Sequence, residues 1–479
     1  MSFRHLAIFC ALAGVAGCAS VRPADTRLPA GYEAPAQAAA EVDLAQWWTA
    51  FGDPQLTGLI EEALANSPDA RSAAARLEEA RALRSGALTR FLPQGNLVGT
   101  GRKTDSEVTD LETEGEAPPT GVPGFTLGGE TETYALNFDV SWEVDLFGRI
   151  FAARRAANAE LAAARFSYEG ARASLAANVA DSYFQARGLA IQLEDARRTA
   201  AIRRGLLDIS ARRVEIGIAA GQDADRIAGD LSQAEAQVAS LEAELQAQRR
   251  TLLVLVGRGI DPIASLPVDA SISAPPPVPA TLPGELLARR PDVREAEQRM
   301  VSATGQVQLA NRALFPTINF TPGVGLSKSV QPGLEFSTRN WSIGGNVTVP
   351  VLDIPRLLSE IDASGARAEQ AVIAYEKAVQ TAFSEAESAL VRLDADRRGV
   401  ALLTEGERRA QRAYNASKIG YDAGLQDLQS TLNNEAAWRA TRSQLTAAQV
   451  QAARRAVQAY KALGGGWPAE TIPPGTRAR

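Results

Sequence analysis

Few residues in this chain belong to the types that most often do chemistry in proteins. Among its 479 residues there is one histidine, His5, and there are two cysteines, Cys10 and Cys18. All three lie near the N-terminus, where Leu6–Val15 form a short apolar run after a charged start. This arrangement is typical of a secretory signal peptide, which is removed from the mature protein. We predict that residues 1–17 are this signal peptide.

Cleavage is predicted immediately before Cys18. The tetrapeptide Val15–Cys18 (VAGC) resembles the lipobox of bacterial lipoproteins, in which the cysteine becomes acylated. Ala19 follows where inner-membrane lipoproteins often carry aspartate, so the resemblance favours the outer membrane. The alternative is an ordinary signal peptide with a chance cysteine. We expect a covalent lipid on Cys18 and no metal or other cofactor.

Removal of the signal peptide leaves a mature chain with no imidazole and, once Cys18 is acylated, no free thiol. Histidine-based triads, cysteine nucleophiles and Cys/His zinc sites are therefore excluded. Carboxylates remain, but at helical spacing they pair with arginines on solvated faces, so a lipid-anchored carboxylate enzyme is a minor alternative. The 50 Lys and Arg are mixed with 56 Asp and Glu and form no basic stripe for nucleic acid. We expect no catalytic residues and no nucleic-acid partner.

The chain carries an internal duplication. The tetrapeptide Pro68–Arg71 (PDAR) recurs as Pro291–Arg294 (PDVR). Further along the chain the offset, which is the distance in sequence between matching residues, becomes smaller, as it is between Arg149 and Arg356. The change of offset means that the first copy holds an insertion, which we place in the segment Lys103 to Thr131. This segment is strongly acidic, and we predict that it forms an outward-facing loop at the tip of a hairpin. The alternative is a disordered loop that only interacts with solvent.

Each copy contains two strand candidates. Tyr134 to Leu146 alternates apolar and polar residues, and Trp341 to Val351 repeats the pattern. A period of two predicts strands with one apolar and one polar face, although a soluble half-buried sheet alternates in the same way. Trp142 and Trp341 are predicted to be girdle residues at the membrane interface. The predicted strands lie near 93–104, 132–147, 315–329 and 338–352.

The rest of each copy is predicted to be helical. No proline interrupts Arg149 to Gly217, which permits a helix on the order of 100 Å long. From Leu231 to Leu255 apolar residues alternate in steps of three and four, the pattern of a coiled-coil seam. The second copy repeats this rod. Turns are predicted at 217–223 and 420–427, with Gly217, Gly221 and Gly424 as the turn glycines.

The predicted fold class is mainly α with a pair of β-hairpin strands in each copy. The predicted organisation is a signal peptide (1–17), a lipidated extended segment (18–52), a first repeat (53–260), a Pro-rich linker (261–283), a second repeat (284–463) and a C-terminal tail (464–479). Four strands cannot close a membrane barrel, whose minimum is about eight, and open edges are not tolerated in lipid. The chain is therefore expected to oligomerise, and two, three or four copies would each give an even number of strands.

Four motifs are spread over nearly the whole mature chain. They are Trp47–Leu56 (WWTAFGDPQL), Ser141–Arg149 (SWEVDLFGR), Leu287–Val293 (LARRPDV) and Lys461–Trp467 (KALGGGW). In sequence and in order they resemble the TolC-like outer-membrane factor family, and in particular its lipoprotein branch of OprM- and NodT-like proteins. One departure is Asp353–Arg356 (DIPR), where the family usually has a Gly-rich turn.

This resemblance implies a homotrimer with a twelve-stranded outer-membrane β-barrel on a periplasmic coiled-coil barrel of α-helices. Such proteins are passive exit ducts of tripartite RND-type efflux systems, and they carry small toxic compounds out of the cell. The implied partners are a periplasmic adaptor (membrane fusion protein), an inner-membrane RND pump and outer-membrane lipid. Two alternatives stay open: a type I protein-secretion duct, and a lipid-anchored periplasmic coiled-coil structural protein.

The resemblance also implies a periplasmic gate at the two helical turns. Asp223 occupies the position of the family's inward-facing acid, and Tyr421 matches the second turn. Gln426 stands where some relatives carry a basic residue, so a neutral hydrogen bond from Tyr421 or Gln426 to Asp223 is expected in place of a salt bridge. Asp427 would supplement a cation-selective ring. The alternative is that Asp223 only caps the helix that follows.

Overall fold

A computed structural model describes residues 22–34, 43–107, 129–217, 221–279, 283–331, 334–423 and 425–466. The predicted signal peptide and Cys18 lie outside these described residues. The chain divides into two compact units, each with segments of both copies. Within the described residues, the sheet unit comprises Glu79–Leu161 and Gln298–Val372, and the helical unit comprises Ala24–Glu78, Ala162–Glu297 and residues 373–466.

The two copies contain matching elements in the same order. The first copy has a 3-10 turn (Leu44–Phe51), α1 (Pro54–Asn66), α2 (Pro68–Thr89), β1 (Gln94–Ser106), β2 (Gly129–Val144), α3 (Arg149–Glu215) and α4 (Gly221–Leu255). The second has α5 (Leu286–Arg289), α6 (Pro291–Arg312), β3 (Thr317–Gln331), β4 (Leu334–Thr348), α7 (Ile354–Asp422) and α8 (Leu428–Ala462). Helices α2 and α6 both have 22 residues, and α4 and α8 both have 35. These equal lengths are what the predicted duplication requires.

Aspartates start three of these helices. The Asp53 carboxylate accepts hydrogen bonds from the backbone N–H groups of Gln55 and Leu56, at 3.0 and 3.1 Å. Asp145 accepts two such bonds at the start of α3, and Asp427 accepts one from Ser430 at 2.7 Å. These bonds satisfy donors that the first turn of a helix leaves unpaired, and the negative charge suits the positive end of the helix dipole.

The sheet unit contains one antiparallel sheet with strand order β1-β2-β3-β4. Its outermost strands, β1 and β4, are the two edges. Lys103–Ser106 pair with Gly129–Glu132, so the predicted inserted loop from Lys103 to Thr131 is too long at both ends. The acidic composition of these residues predicted a loop although they are the ends of strands. Polar residues that face solvent can extend a hairpin as well as apolar residues do. Residues 108–128 lie outside the described part of the chain.

The helical unit packs around Trp47, Tyr183 and Tyr460, all of them fully buried. The predicted seam of α4 is confirmed: Leu231, Ala234, Leu245 and Leu252 are buried, and the Gln248 side chain donates to the backbone oxygen of Ser182. None of the described helices combines the length and the apolar character needed to cross a membrane.

The first and last family-like motifs meet in this core. Trp47 stacks on Tyr460 with ring centroids 5.6 Å apart, and the Gly466 N–H donates to the Leu44 carbonyl at 2.8 Å. A Cβ on Gly465 would lie 2.8 Å from the Tyr460 carbonyl oxygen and 2.9 Å from a carbon of the Trp47 ring. Glycine is therefore required there because the first and last motifs approach so closely.

Asp53 has a second role besides starting α1. Its other carboxylate oxygen accepts a hydrogen bond from the Tyr183 hydroxyl at 2.8 Å and forms an ion pair with Arg187. Burial, with the hydrogen bond to Asp53, raises the pKa of Tyr183. The motif residue Asp53 thus ties α1 to α3.

The N-terminal segment lies along α7, as expected for an extended segment. The Asp25 N–H donates to Glu376, and the Glu33 N–H donates to Glu387. Between them Tyr32 stacks on Phe383, with centroids 5.8 Å apart and planes at 10°. The segment from Asp25 to Glu33 is therefore fixed within the helical unit by backbone and side-chain contacts.

Candidate functional site

One face of the sheet is a continuous apolar surface. The register places Leu97, Phe138, Val324 and Trp341 in one row across the four strands. Rows nearer to α3 and α7 add Val140, Trp142, Val144, Ile318, Phe320, Ile343 and Val347. From Leu136 to Val144 this surface extends about 27 Å along the strand at about 3.4 Å per residue. The nine residues of this segment match the roughly 9–11 residues with which a tilted strand crosses a membrane.

The two tryptophans occupy different positions along their strands. Trp142 lies two residues before the end of β2. Trp341 lies at the centre of β4, seven residues from either end. The girdle role of both residues stays a prediction. A period of two determines which face a residue occupies but not its depth. Tyr134 is the aromatic residue near the hairpin-tip end of the apolar face, and sequence reasoning missed this role.

The opposite face of the sheet is mostly polar, with Val98 and Phe336 among its apolar exceptions. It carries Asn137, Asp139, Asn319, Thr321, Asn340 and Asn346. Gly323 and Gly325 on β3 leave room for the longer polar side chains, since a Cβ on Gly323 would meet Asp139 Oδ1 at 2.9 Å. A sheet with one apolar and one polar face separates lipid from water, which is what the wall of a membrane channel must do.

In the helical unit, Tyr421 at the end of α7 contacts Arg213 at the end of α3. Arg213 Nη1 donates to the Tyr421 hydroxyl at 3.2 Å, and its guanidinium carbon lies 5.8 Å from the ring centroid. Both a hydrogen bond and a cation–π contact therefore join the last turns of the two long helices. Arg226 on α4 makes a similar link to Gln429 on α8, at 2.7 Å.

Gln426 forms its contact within its own hairpin. Its side-chain oxygen accepts a hydrogen bond from the Ser417 hydroxyl at 2.7 Å, and Ser417 lies 3.2 Å from the Thr431 hydroxyl. Ser417 and Thr431 are buried, at 3% and 7% exposure, so this neutral network closes the α7–α8 turn. Asp427 is exposed and caps α8.

For the other predicted turn residues, the structure describes only the backbone position or does not describe the residue. Gly217 has a φ of 76°, a left-handed conformation that favours glycine, and it follows the end of α3. Gly221 is the first residue of α4, so Asp223 lies inside the first turn of that helix and not before it. The Asp223 side chain and the whole of Gly424 lie outside what the structure describes. The gate roles of Asp223, Tyr421, Gln426 and Asp427 stay predictions.

Sequence reasoning missed Arg213, Ser417 and Thr431 as turn residues. One feature of the sequence could have predicted the role of Arg213, namely its position in the last turn of a helix. A basic residue there suits the helix dipole and often makes a terminal contact. Its partner Tyr421 lies 208 positions away and belongs to the other copy, so no local pattern could have found it.

If these turns form the gate, replacing Arg213 by alanine is expected to raise resting conductance. A hydrogen bond of this kind contributes about 0.5–1.5 kcal/mol, so its loss shifts a closed–open equilibrium by roughly two- to tenfold per subunit. Tyr421→Phe removes only the hydroxyl and should have a smaller effect, since the ring remains. Single-channel recordings in a planar bilayer measure both. Arg212→Ala is the matched control, and equal conductance in all three variants would contradict the assignment.

Comparisons with known proteins agree with this geometry. The family described as outer membrane efflux protein matches residues 59–258 and 282–465. The pyoverdine export outer membrane protein OpmQ of Pseudomonas aeruginosa is 31% identical over 98% of both chains. The toluene efflux pump outer membrane protein TtgF of Pseudomonas putida is 29% identical over 92% of this chain and 89% of its own. The solved structure of the outer-membrane channel OprN superposes with a TM-score of 0.77 at 27% identity, covering 94% of this chain and all of OprN.

The chain belongs to the outer membrane efflux protein family. Its location is the outer membrane with an extension into the periplasm, as the sequence predicted. Members of this family are passive channels, so the protein is an exit duct and not an enzyme. The predicted fold class is confirmed, since the chain shares the mostly helical, few-stranded fold of the TolC-like channels.

Proposed function

We propose that the protein is the outer-membrane duct of a tripartite RND-type efflux system and carries small toxic organic compounds. The observation that supports this most directly is the sheet with an exposed apolar face and a polar face behind it. Such a sheet does not suit a periplasmic coiled-coil structural protein, because its exposed apolar face would favour aggregation in water. A type I protein-secretion duct remains the competing assignment within the channel class.

The two unpaired edges of the sheet support assembly with further copies of the chain, and the trimeric barrels of this family support three copies. β1 and β4 each present a row of backbone groups without a partner inside the described chain. In lipid those groups must be paired, and a second copy supplies the complementary edge. Three copies would close a barrel of about twelve strands, within the range of known barrels.

The partners in this proposal are a periplasmic adaptor and an inner-membrane RND pump. The relatives act in pyoverdine export and toluene efflux, which supports small organic molecules as the cargo class. The exposed ends of the helical hairpins, with Ile216, Ile419 and Leu425 at 67–83% exposure, offer an apolar surface for the adaptor.

Export from whole cells tests the proposal. Deletion of the gene is expected to increase accumulation of a fluorescent pump substrate, and the wild-type chain should restore export when pump and adaptor are present. Purified protein should have the mass of a trimer by native mass spectrometry and form discrete channels in a planar bilayer. Loss of secretion of a large protein, with unchanged accumulation of small compounds, would favour the type I duct. A monomer without channel activity would contradict both.

We also propose that Cys18 carries the lipid anchor. More than one acyl chain gives stable membrane attachment, whereas a single chain binds only marginally. Mass spectrometry of the mature N-terminus should find an acylated cysteine at position 18. Cys18→Ser should reduce outer-membrane targeting more than channel conductance, while Cys10→Ser, inside the predicted signal peptide, should change neither. An unmodified Cys18, or a mature N-terminus elsewhere, would contradict this proposal.

A further inference from the structure

The apolar face of the sheet changes character near the hairpin tips. The row of Leu97 and Trp341 is wholly apolar, but the next three rows toward the tips hold charged residues. These rows are Gly99, Leu136, Leu326 and Arg339; then Gly101, Tyr134, Lys328 and Ser337; then Lys103, Glu132, Val330 and Glu335. Charges at this end of an apolar membrane face lie at the depth of lipid headgroups.

Arg339 is the unusual member of this group. It is directly opposite Leu326 and occupies the same face as Trp341, so its backbone lies within the apolar surface. In the part of the chain that the structure describes, Arg339 forms no ion pair, whereas Lys103 and Lys328 are paired with glutamates. A charged side chain on the lipid face is costly at the bilayer midplane and far less costly near the interface. An anion at headgroup depth would compensate this charge.

Lys328 and Tyr134 lie beside Arg339 on the same face. Lys328 is directly opposite Ser337, which makes Arg339 its diagonal neighbour, at a typical separation of about 7–8 Å. The Lys328 ammonium is 2.6 Å from Glu335, but both side chains are about half exposed, at 48% and 59%, so this pair exchanges partners at small cost. Tyr134 lies opposite Lys328, and its exposed hydroxyl donates to Glu132 at 3.2 Å, a contact that a phosphate can replace at small cost.

The location of Arg339 in the membrane indicates which anion would bind it. The hairpin tips lie at the strand ends opposite to those that lead into α3 and α7. Because the long helices lie in the periplasm, the tips point out of the cell. The anions at headgroup depth on that side are the phosphates of outer-leaflet lipids. Arginine binds phosphate through two parallel N–H groups, which suits it to this ligand better than lysine.

We propose that Arg339, with Lys328 and Tyr134, binds the phosphate of a lipid headgroup in the outer leaflet of the outer membrane. The acyl chains of the same lipid would lie on the apolar rows below, over Leu326, Leu136 and Trp341. A free phosphate ion would gain nothing from those rows. The site therefore selects a phosphorylated lipid and lies on the outside of the wall, away from the transport path.

Native mass spectrometry of the purified full-length protein in neutral detergent tests this proposal. The probes are bisphosphorylated lipid A and the same lipid after removal of its phosphates. The wild-type protein is expected to retain the phosphorylated form and to lose the other. Arg339→Ala should weaken retention at least fivefold. Lys328→Ala should weaken it less, because Glu335 already competes for that ammonium.

Two controls separate this site from general effects of charge and folding. Arg102→Ala removes a cation on the polar face of β1, three residues nearer the hairpin tip than the row of Arg339, and it should retain lipid like the wild type. Arg339→Lys keeps the charge and the fold but cannot bind phosphate in the bidentate geometry of arginine. Its lipid retention should lie between those of the wild type and Arg339→Ala. Equal retention by Arg339→Ala, equal retention of the dephosphorylated lipid, or displacement by millimolar inorganic phosphate would each overturn the proposal. Channel conductance is measured separately, so failure of lipid binding is distinguishable from failure of the duct function.

Discussion

Replacing Trp47 by alanine is expected to lower the free energy of unfolding of the helical unit by about 3–5 kcal/mol. The indole is completely buried and contacts the rings of Trp48, Phe51 and Tyr460, with centroids 5.6–6.0 Å apart. Its removal leaves a cavity that the closely packed glycines near the C-terminal end of α8 cannot fill. Denaturant unfolding of the purified protein in detergent, followed by circular dichroism, measures the loss.

Trp341→Ala is the matched control for this prediction. Trp341 is 75% exposed on the apolar face of the sheet, so the same substitution there removes no packing from the helical unit. The helical transition should occur at the same denaturant concentration as in the wild type. If Trp47→Ala and Trp341→Ala shift that transition equally, the buried stack does not stabilise the helical unit in the way inferred.

The second large effect is expected at a buried ion pair on α8. Glu435 is 1% exposed, and its carboxylate lies 3.2 Å from the Arg439 guanidinium. Arg439→Ala leaves this carboxylate buried without its partner, which typically costs about 3–5 kcal/mol. Replacing both residues by leucine removes both charges and is expected to be neutral or stabilising by about 1–4 kcal/mol. Denaturant unfolding of the single and double variants distinguishes the two cases.

The Arg439→Ala variant should also respond to pH. Burial raises the pKa of Glu435, and the charges of Arg439 and Arg203 only partly offset this effect. Because the folded-state pKa lies above the unfolded one, ionisation destabilises the folded state as pH rises through the folded-state pKa. Acidification should therefore restore part of the stability of Arg439→Ala, while the double leucine variant should show no such recovery. A loss of stability in Arg439→Ala that stays constant from neutral to mildly acidic pH would contradict the assignment to Glu435.

The parts of the fold that sequence reasoning predicted are those with a local period. The alternation from Tyr134 to Leu146 identified β2 and its lipid face, and the absence of proline after Arg149 identified the long helix α3. The length of a strand beyond its apolar residues was not predictable in this way, because Lys103–Ser106 pair through their backbone and carry no apolar pattern.

The contacts between residues far apart in the sequence could not be predicted from local sequence patterns. Asp53 was visible only as part of a motif, and its bonds to Tyr183 and Arg187 join residues at least 130 positions apart. The burial of Glu435 could not be inferred either, because glutamate at helical spacing is usually solvated. Only the packing of α8 against its neighbours determines which side chains lose water.

The contact between Trp47 and Gly465 also governs when the protein can fold. These residues lie more than 400 positions apart, so the core around Trp47 stays incomplete until Tyr460 and the glycines after it arrive. Contacts of such large sequence separation slow folding, because the intervening chain must be ordered first. The helical unit is therefore expected to mature only after the polypeptide has left the translocation machinery. A fragment that ends before Tyr460 would expose the indole of Trp47, a mark by which periplasmic chaperones and proteases could recognise unfinished chains.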